Sequence, residues 1–424
     1  MTVRLTDPTS SRLRWRLTVA LALLLSALLL DDPAEARRDK NAPRGHRTYL
    51  LSERTAKKLT QANEFVQEQN VEAALEILRA LEKKKRLNPL ERAYTHQMLG
   101  YLAANDEHFE EAAKHFSIAI AQKALPAGSQ LQAQYNLGQI YLAGERPAKA
   151  VKALNTWFKY AENPSSSAYY LLAVAYLQSD RKAEALEPAQ AAVAQSENPK
   201  ESWLQLLVAL YFEQKDYASA EGVLTRLVTE YPKKPYWIQL AAVYSELDKE
   251  EQSLAVQQIA YERGLLDQDR ELVRLAQTYL YHGLPYRAAR VMEKGLSDGT
   301  VDSTREAWEL LANSWLNARE YDRALGPMQR AAELSDEGEL YVRLGQLYLD
   351  RERFEEAHSA LQRAIDTGKL QRPGPARLLL GVALFNANRL NSARIAFRGA
   401  QQYDSTRRSA NVWLEFIDKE TATN

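Results

Sequence analysis

An all-α chain of stacked helical hairpins is the fold this sequence predicts, and three observations predict it. Glycine and proline are scarce, with 17 and 15 in 424 residues, too few for the tight turns that many short strands require. A hydrophobic share of 46% with 55 basic and 55 acidic residues describes a chain that buries a core rather than a disordered polyampholyte. The third observation is a period. Small residues recur at Ala62, Gly100, Gly138, Ala173, Ala241, Ala276, Ala312, Gly345 and Gly381, with Val208 the larger member of the series. Zero net charge leaves no electrostatic footprint for nucleic acid. The absence of cysteine removes disulfides, thiolate metal sites and cysteine nucleophiles together.

The first element in chain order is an export leader. Arg12, Arg14 and Arg16 precede an apolar run from Leu17 to Leu30, and Ala34-Glu35-Ala36 supplies a small-x-small cleavage pattern, so residues 1–36 are expected to be a signal peptide. As a helix the run would span about 21 Å, short of the roughly 30 Å of bilayer hydrocarbon. An uncleaved signal anchor is the alternative, and both place the rest of the chain across the inner membrane, in the periplasm. Lipid anchoring has no cysteine to use, and the arginines are never adjacent, against the twin-arginine route. Residues 37–54 open with a basic, polar, proline-broken stretch and are expected to be a flexible tether.

Residues 55–403 hold about ten units in one register. Three positions after the small residue the side chain is aromatic in eight units of ten, as at Tyr141, Tyr176 and Trp315, and twelve positions after it nine units have alanine and one Ser253. The small residue lets two antiparallel helices approach, the aromatic lies one turn on along the same face, and the alanine falls on the facing helix. An apolar residue four positions beyond the alanine completes the second helix, as Phe116, Leu154, Leu361 and Phe397 do; Ala189 and Gln257 are weaker members. Pro126, Pro164, Pro199, Pro232 and Pro373 fall near the ends of second helices, where a proline stops the helix, and mark the turns between units. The unit at about 55–88 lacks the Leu-Gly pair, and that at about 234–265 has Ser253 and Gln257 inside, so both are expected to be irregular. Residues 404–424 carry Val412, Trp413, Phe416 and Ile417 at helical spacing, the pattern of a helix that caps the exposed end of a stack.

With Leu344-Gly345, Tyr348, Phe354, Ala357, Leu361 and Ala364 in place, the sequence resembles the tetratricopeptide repeat family. The resemblance implies an α-solenoid, a right-handed superhelix whose inner groove is lined by the first helix of each unit and takes an extended peptide or partner helix. By register, the lining is expected to include Gln97, Tyr101, Tyr135, Gln139, Tyr170, Gln205, Phe212, Gln277, Asn313, Gln346 and Phe385, a mixture of amides and aromatics with few charges. Packing against neighbouring helices is the competing reading for each. A carboxylate clamp is not expected, since Asn313 has no registered lysines beside it.

Chemistry is sparse. His108 and His115 with Glu107, Glu110 and Glu111 have metal-ligating side chains, but the pattern is not H-E-x-x-H, and solvated charge on an outer face is the preferred reading. No phosphate loop, nucleophile elbow or paired-carboxylate cleft appears; no cofactor or metal is expected, and the chain is expected not to be an enzyme. Its layout of leader, basic tether and ten cysteine-free units beginning near Arg47 to Leu59 resembles exported repeat proteins that accompany TonB-type energy-transduction systems. That resemblance implies a periplasmic scaffold with a TonB-like protein or its companions as partner. A scaffold for envelope polymer secretion or outer-membrane assembly is the alternative, and a metal-dependent hydrolase centred on His108 and His115 is a third.

Overall fold

The computed structural model of the chain describes residues 49–423. The leader expected at 1–36 and residues 37–48 of the tether lie outside the described residues. Among the described residues there are twenty-one helices and no strand, and the chain divides into two compact units between Leu227 and Val228.

In the first unit α1 (Glu53–Gln67) pairs with α2 (Val71–Glu82), α3 (Pro89–Asn105) with α4 (Phe109–Ala121), α5 (Ala127–Ala143) with α6 (Pro147–Phe158), and α7 (Ser166–Gln178) with α8 (Lys182–Ala194). α9 (Glu201–Gln214) follows, and the division falls within α10 (Tyr217–Glu230). In the second unit the pairs are α11 (Lys234–Glu246) with α12 (Glu250–Glu262), α13 (Asp269–Tyr281) with α14 (Pro285–Asp298), α15 (Arg305–Asn317) with α16 (Tyr321–Glu333), α17 (Glu339–Asp350) with α18 (Phe354–Thr367), and α19 (Pro373–Asn386) with α20 (Leu390–Gln401). α21 (Asp404–Thr423) packs on α20 and α19. Each second helix inside a unit also packs on the first helix of the next hairpin, and successive first helices touch at α1–α3 and α17–α19.

The small residue works against a partner other than the predicted alanine alone. A Cβ on Gly100 would come 2.7 Å from Phe116, on Gly138 2.6 Å from Leu154, on Gly345 2.4 Å from Leu361 and on Gly381 2.5 Å from Phe397. The side chain sixteen positions on lies directly over the glycine, and the alanine between them keeps the two backbones close. Phe116, Leu154, Leu361 and Phe397 are fully buried.

Every hairpin turns in one way. The residue seven after the small position has positive φ in all ten: Gln69, Glu107, Glu145, Asp180, Lys215, Asp248, Arg319, Glu352 and Asn388, with Gly283 the single glycine. The next N–H then donates back to the carbonyl of the residue three after the small position, as in His108 to Ala103 at 2.8 Å and Arg353 to Tyr348 at 2.9 Å. This left-handed stop satisfies the last carbonyls of the first helix. The hairpins at 55–88 and 234–265 close through the same turn. Ser253 is tolerated inside because its hydroxyl donates to the Ala241 carbonyl at 2.8 Å and meets the Ser245 hydroxyl at 3.0 Å, so the buried polar group is satisfied.

Three other local features depart from the sequence expectation. Pro126 and Pro373 stand at the starts of α5 and α19, where the missing N–H costs nothing. Pro188 and Pro327 lie inside α8 and α16. The last residues of the expected tether are held in place. Ser52 caps α1 and gives Glu91 a hydrogen bond from its hydroxyl at 2.5 Å and another from its N–H at 3.1 Å, while Asn88 Nδ2 donates to the Leu50 carbonyl. Glu91 also closes the capping box of α3 with Asn88.

Candidate protein-binding face

Within the first unit, the predicted groove residues fall into three environments. Gln205 is exposed, while Gln97, Tyr101, Tyr135, Tyr170 and Phe212 are half-buried. Tyr101 accepts a hydrogen bond from Asn136 Nδ2 at 2.7 Å, which links α3 to α5. Tyr135 lies 5.0 Å from the Trp157 ring, Tyr170 stacks at 5.7 Å on Trp203, and Phe212 meets Tyr217 edge-on. Burial pushes the Tyr135 hydroxyl up to about 12 and raises Tyr101 and Tyr170 as well, so these rings offer a neutral O–H at physiological pH. Gln139 is buried; it stands beside Gly138, where the neighbouring helix comes closest, and belongs to packing.

In the second unit Gln277 and Gln346 are exposed, with no side-chain hydrogen bond among the described residues. Asn313 accepts from Arg343 Nη2 at 2.6 Å, and the same guanidinium donates to Glu309 at 2.7 Å. This face therefore carries a charged cross-link between α15 and α17, contrary to the expectation of few charges. Arg343 lies two positions before Gly345, one off the register used to pick lining residues, and Glu309 lies three before Ala312. Following the register through that unit would have found the glutamate. Phe385 packs on Trp413 at 5.3 Å and Phe416 at 5.6 Å of α21, so the terminal helix covers it.

The two histidines singled out in the sequence part company. His108 is exposed and pairs with Asp106 at 2.9 Å. His115 is buried, which corrects the reading of an outer, solvated charge: it faces inward from α4, and its Nδ1 lies 2.8 Å from Nδ1 of His96 on α3. Glu82 Oε1, at the end of α2, is 3.8 Å from that His96 nitrogen, and Glu111 Oε1 is 3.7 Å from His115 Nε2. Glu82, His96 and His115 bring one ligand atom each within 4.8 Å of one another. His108 lines the same cleft as His115 but is not in this group, where His96 stands instead. His96 was missed because its partner is nineteen residues away on the facing helix.

Paired helices with a small-residue contact, a shared left-handed turn and polar-aromatic first helices define a helical-repeat scaffold. The family pattern described as tetratricopeptide repeat matches residues 98–164, 158–201, 273–339 and 342–407, more than half of the chain. The chain belongs to the tetratricopeptide repeat family. No curated protein matches the sequence. Among solved structures, a tetratricopeptide repeat protein from Parabacteroides merdae ATCC 43184 is 18% identical, with a TM-score of 0.36, covering 62% of this chain and 99% of that one. YrrB, a tetratricopeptide repeat protein with an unusual peptide-binding site, is 17% identical with a TM-score of 0.36 and covers 43% of this chain and 90% of its own. MamA from Desulfovibrio magneticus RS-1 is 18% identical with a TM-score of 0.36, covering 42% and 96%. Repeats of this family indicate a protein–protein interaction scaffold and are generally non-enzymatic. Among the described residues, no helix is long and apolar enough to cross a membrane.

Proposed function

We propose that the chain is an exported scaffold whose first-helix faces hold an extended segment of a partner protein, and that the partner belongs to a TonB-type energy-transduction assembly. The observation that carries the binding half is the pair of exposed amides on first helices, Gln277 and Gln346, with no side-chain hydrogen bond among the described residues. An amide side chain donates and accepts at once and so can pair with a partner's backbone without demanding charge. Half-buried Tyr135 and Tyr170 offer flat apolar area with a polar tip, the type of side chain favoured at recognition surfaces. Export is supported by the arginine-flanked apolar run at Leu17 to Leu30 followed by Ala34-Glu35-Ala36. The partner's identity is supported only by the layout of leader, basic tether and ten cysteine-free units.

Affinity purification of the tagged chain from its native envelope tests the partner. Recovery of a TonB-like protein, its proton-channel companions or a cognate outer-membrane receptor is the expected result. Recovery of polymer-export or outer-membrane assembly components, with none of the TonB machinery, replaces this reading with the assembly-scaffold alternative.

A further inference from the structure

The repeats of this chain are controls for one another, and one place breaks their pattern three times. Fifteen positions after the small residue, nine units carry apolar side chains, Val256, Val291 and Ala360 among them, and one carries His115. Twenty positions after it, the first unit has Glu82 where others have Ile120, Phe158, Val193 or Leu296. Four positions before Gly100 stands His96, in a slot that is apolar or aromatic in six other units, Trp237, Leu272 and Trp308 among them, and polar at Lys58, Gln134 and Arg377. The two hairpins bring these three departures to one point. His96 and His115 are each only 6% exposed, and His115 occupies a position that is apolar in the other nine units.

We propose that Glu82, His96 and His115 form a binding site for a divalent zinc-class ion, which clips the first hairpin to the second. Two imidazole nitrogens and one carboxylate oxygen form a donor set that zinc takes with a fourth position left open. Around a tetrahedral ion with bonds of about 2.0–2.1 Å, donor atoms stand about 3.3 Å apart. The separations of 2.8 Å between the histidine nitrogens and 3.8 Å between Glu82 and His96 bracket that value, and the Glu82–His115 edge lies within 4.8 Å, so closing the site takes ring rotation and an inward swing of the Glu82 carboxylate. Glu111, 3.7 Å from His115 Nε2, supplies the outer carboxylate that commonly orients a metal-bound histidine.

Proton bookkeeping is simple. Without metal, one Nδ1 must carry a proton to hydrogen-bond the other. On binding, that proton moves through solvent to the Nε2 of its own ring, both Nδ1 lone pairs turn to the ion, and two neutral imidazoles lose no net charge. Burial first, then the facing His115, hold His96 below its usual range, with Arg92 and Lys114 acting in the same direction and Glu82 opposing them. An ion can arrive through a cleft of about 790 Å³ lined by Glu82, Glu111 and His115. Glu107 attracts a cation there and Lys114 repels it, while Glu110 and Arg146 pair with each other at 2.7 Å.

The site is independent of the partner reading and is tested apart from it. The full, tag-free chain, stripped with chelator, is titrated with Zn²⁺ and with Co²⁺ as the spectroscopic probe. One equivalent should bind, raise the melting temperature, and give Co²⁺ the ligand-field bands of a low-coordinate nitrogen–oxygen site. His96→Gln and His115→Gln should abolish those bands, and His108→Ala should keep them. Glu82→Gln, at the accessible edge where folding is not at risk, should weaken Zn²⁺ at least 10-fold, and Glu111→Gln by about 10–100-fold. Absence of a stoichiometric ion in the unaltered chain, or unchanged affinity in Glu82→Gln and His115→Gln, overturns the assignment.

Discussion

Four single positions carry forces that can be measured. Gly345 has no room for a methyl group, since its Cβ would fall 2.4 Å from Leu361 Cγ. Gly345→Ala should cost about 1–3 kcal/mol by overpacking, read by chemical denaturation. Leu361→Ala alone should cost about 2–5 kcal/mol through its cavity. The double variant should lose less than the sum by at least about 0.5 kcal/mol; strict additivity would mean the two do not meet. His96 and Glu91 make stability depend on pH in one direction. Burial lowers the His96 pKa in the folded chain, so the unfolded chain binds more protons below about pH 6.5. Its contribution is complete above that pH and falls away as pH drops toward the folded value. Burial works to raise Glu91, but hydrogen bonds from the Ser52 hydroxyl and the Asn88 and Ser52 N–H groups outweigh it and hold the carboxyl below its ordinary range. Its share is present above about pH 4.3 and is lost as pH falls further. Metal-free His96→Gln should flatten the first window and Glu91→Gln the second in unfolding titrations; unchanged profiles would contradict both assignments.

At the scale of elements, the turn and the terminal helix decide the outcome. Nine of the ten hairpin turns force a side-chain-bearing residue into the left-handed region, and Gly283 alone does so without strain. Gly283→Ala should destabilise the chain by about 1 kcal/mol, while Glu352→Gly should raise the denaturation midpoint. Equal and negligible effects would mean that the turn is not under backbone tension. α21 closes the second unit through Trp413, which stacks on Phe397 at 5.4 Å with an interplanar angle of 4°. Trp413→Ala should cost about 2 kcal/mol, less than a fully buried tryptophan because this ring is partly exposed. Much of this layer was legible in advance. The small residue, the aromatic three after it and the alanine twelve after it mark helices because core positions repeat in residue type. The turn was not legible, because the residue at its left-handed position changes from Gln69 to Lys215 to Asn388. Backbone geometry repeats there and chemistry does not. Ser52 and Glu91 were missed for another reason: their bond joins residues 39 apart, beyond any local pattern.

For the molecule as a whole, family and hairpin order follow from periodicity, whereas the binding face follows from it only in part. A register count finds which helix face a residue occupies, but not what a long neighbour does to it. That is why Asn313 is tied to Arg343 and Phe385 lies beneath the terminal helix. It is also why His115, placed outside by its acidic neighbours in sequence, lies inside against His96. The central proposal is that first helices, and not second helices, present the surface a partner protein occupies. Photoreactive residues placed singly at Gln277 and Gln346 on first helices, and at Lys152 and Arg290 on exposed second-helix positions, compare the two faces in living cells. Adducts with a protein partner should form from Gln277 and Gln346 and be weak or absent from Lys152 and Arg290. Strong adducts from the second-helix positions, with none from the first, would contradict the account.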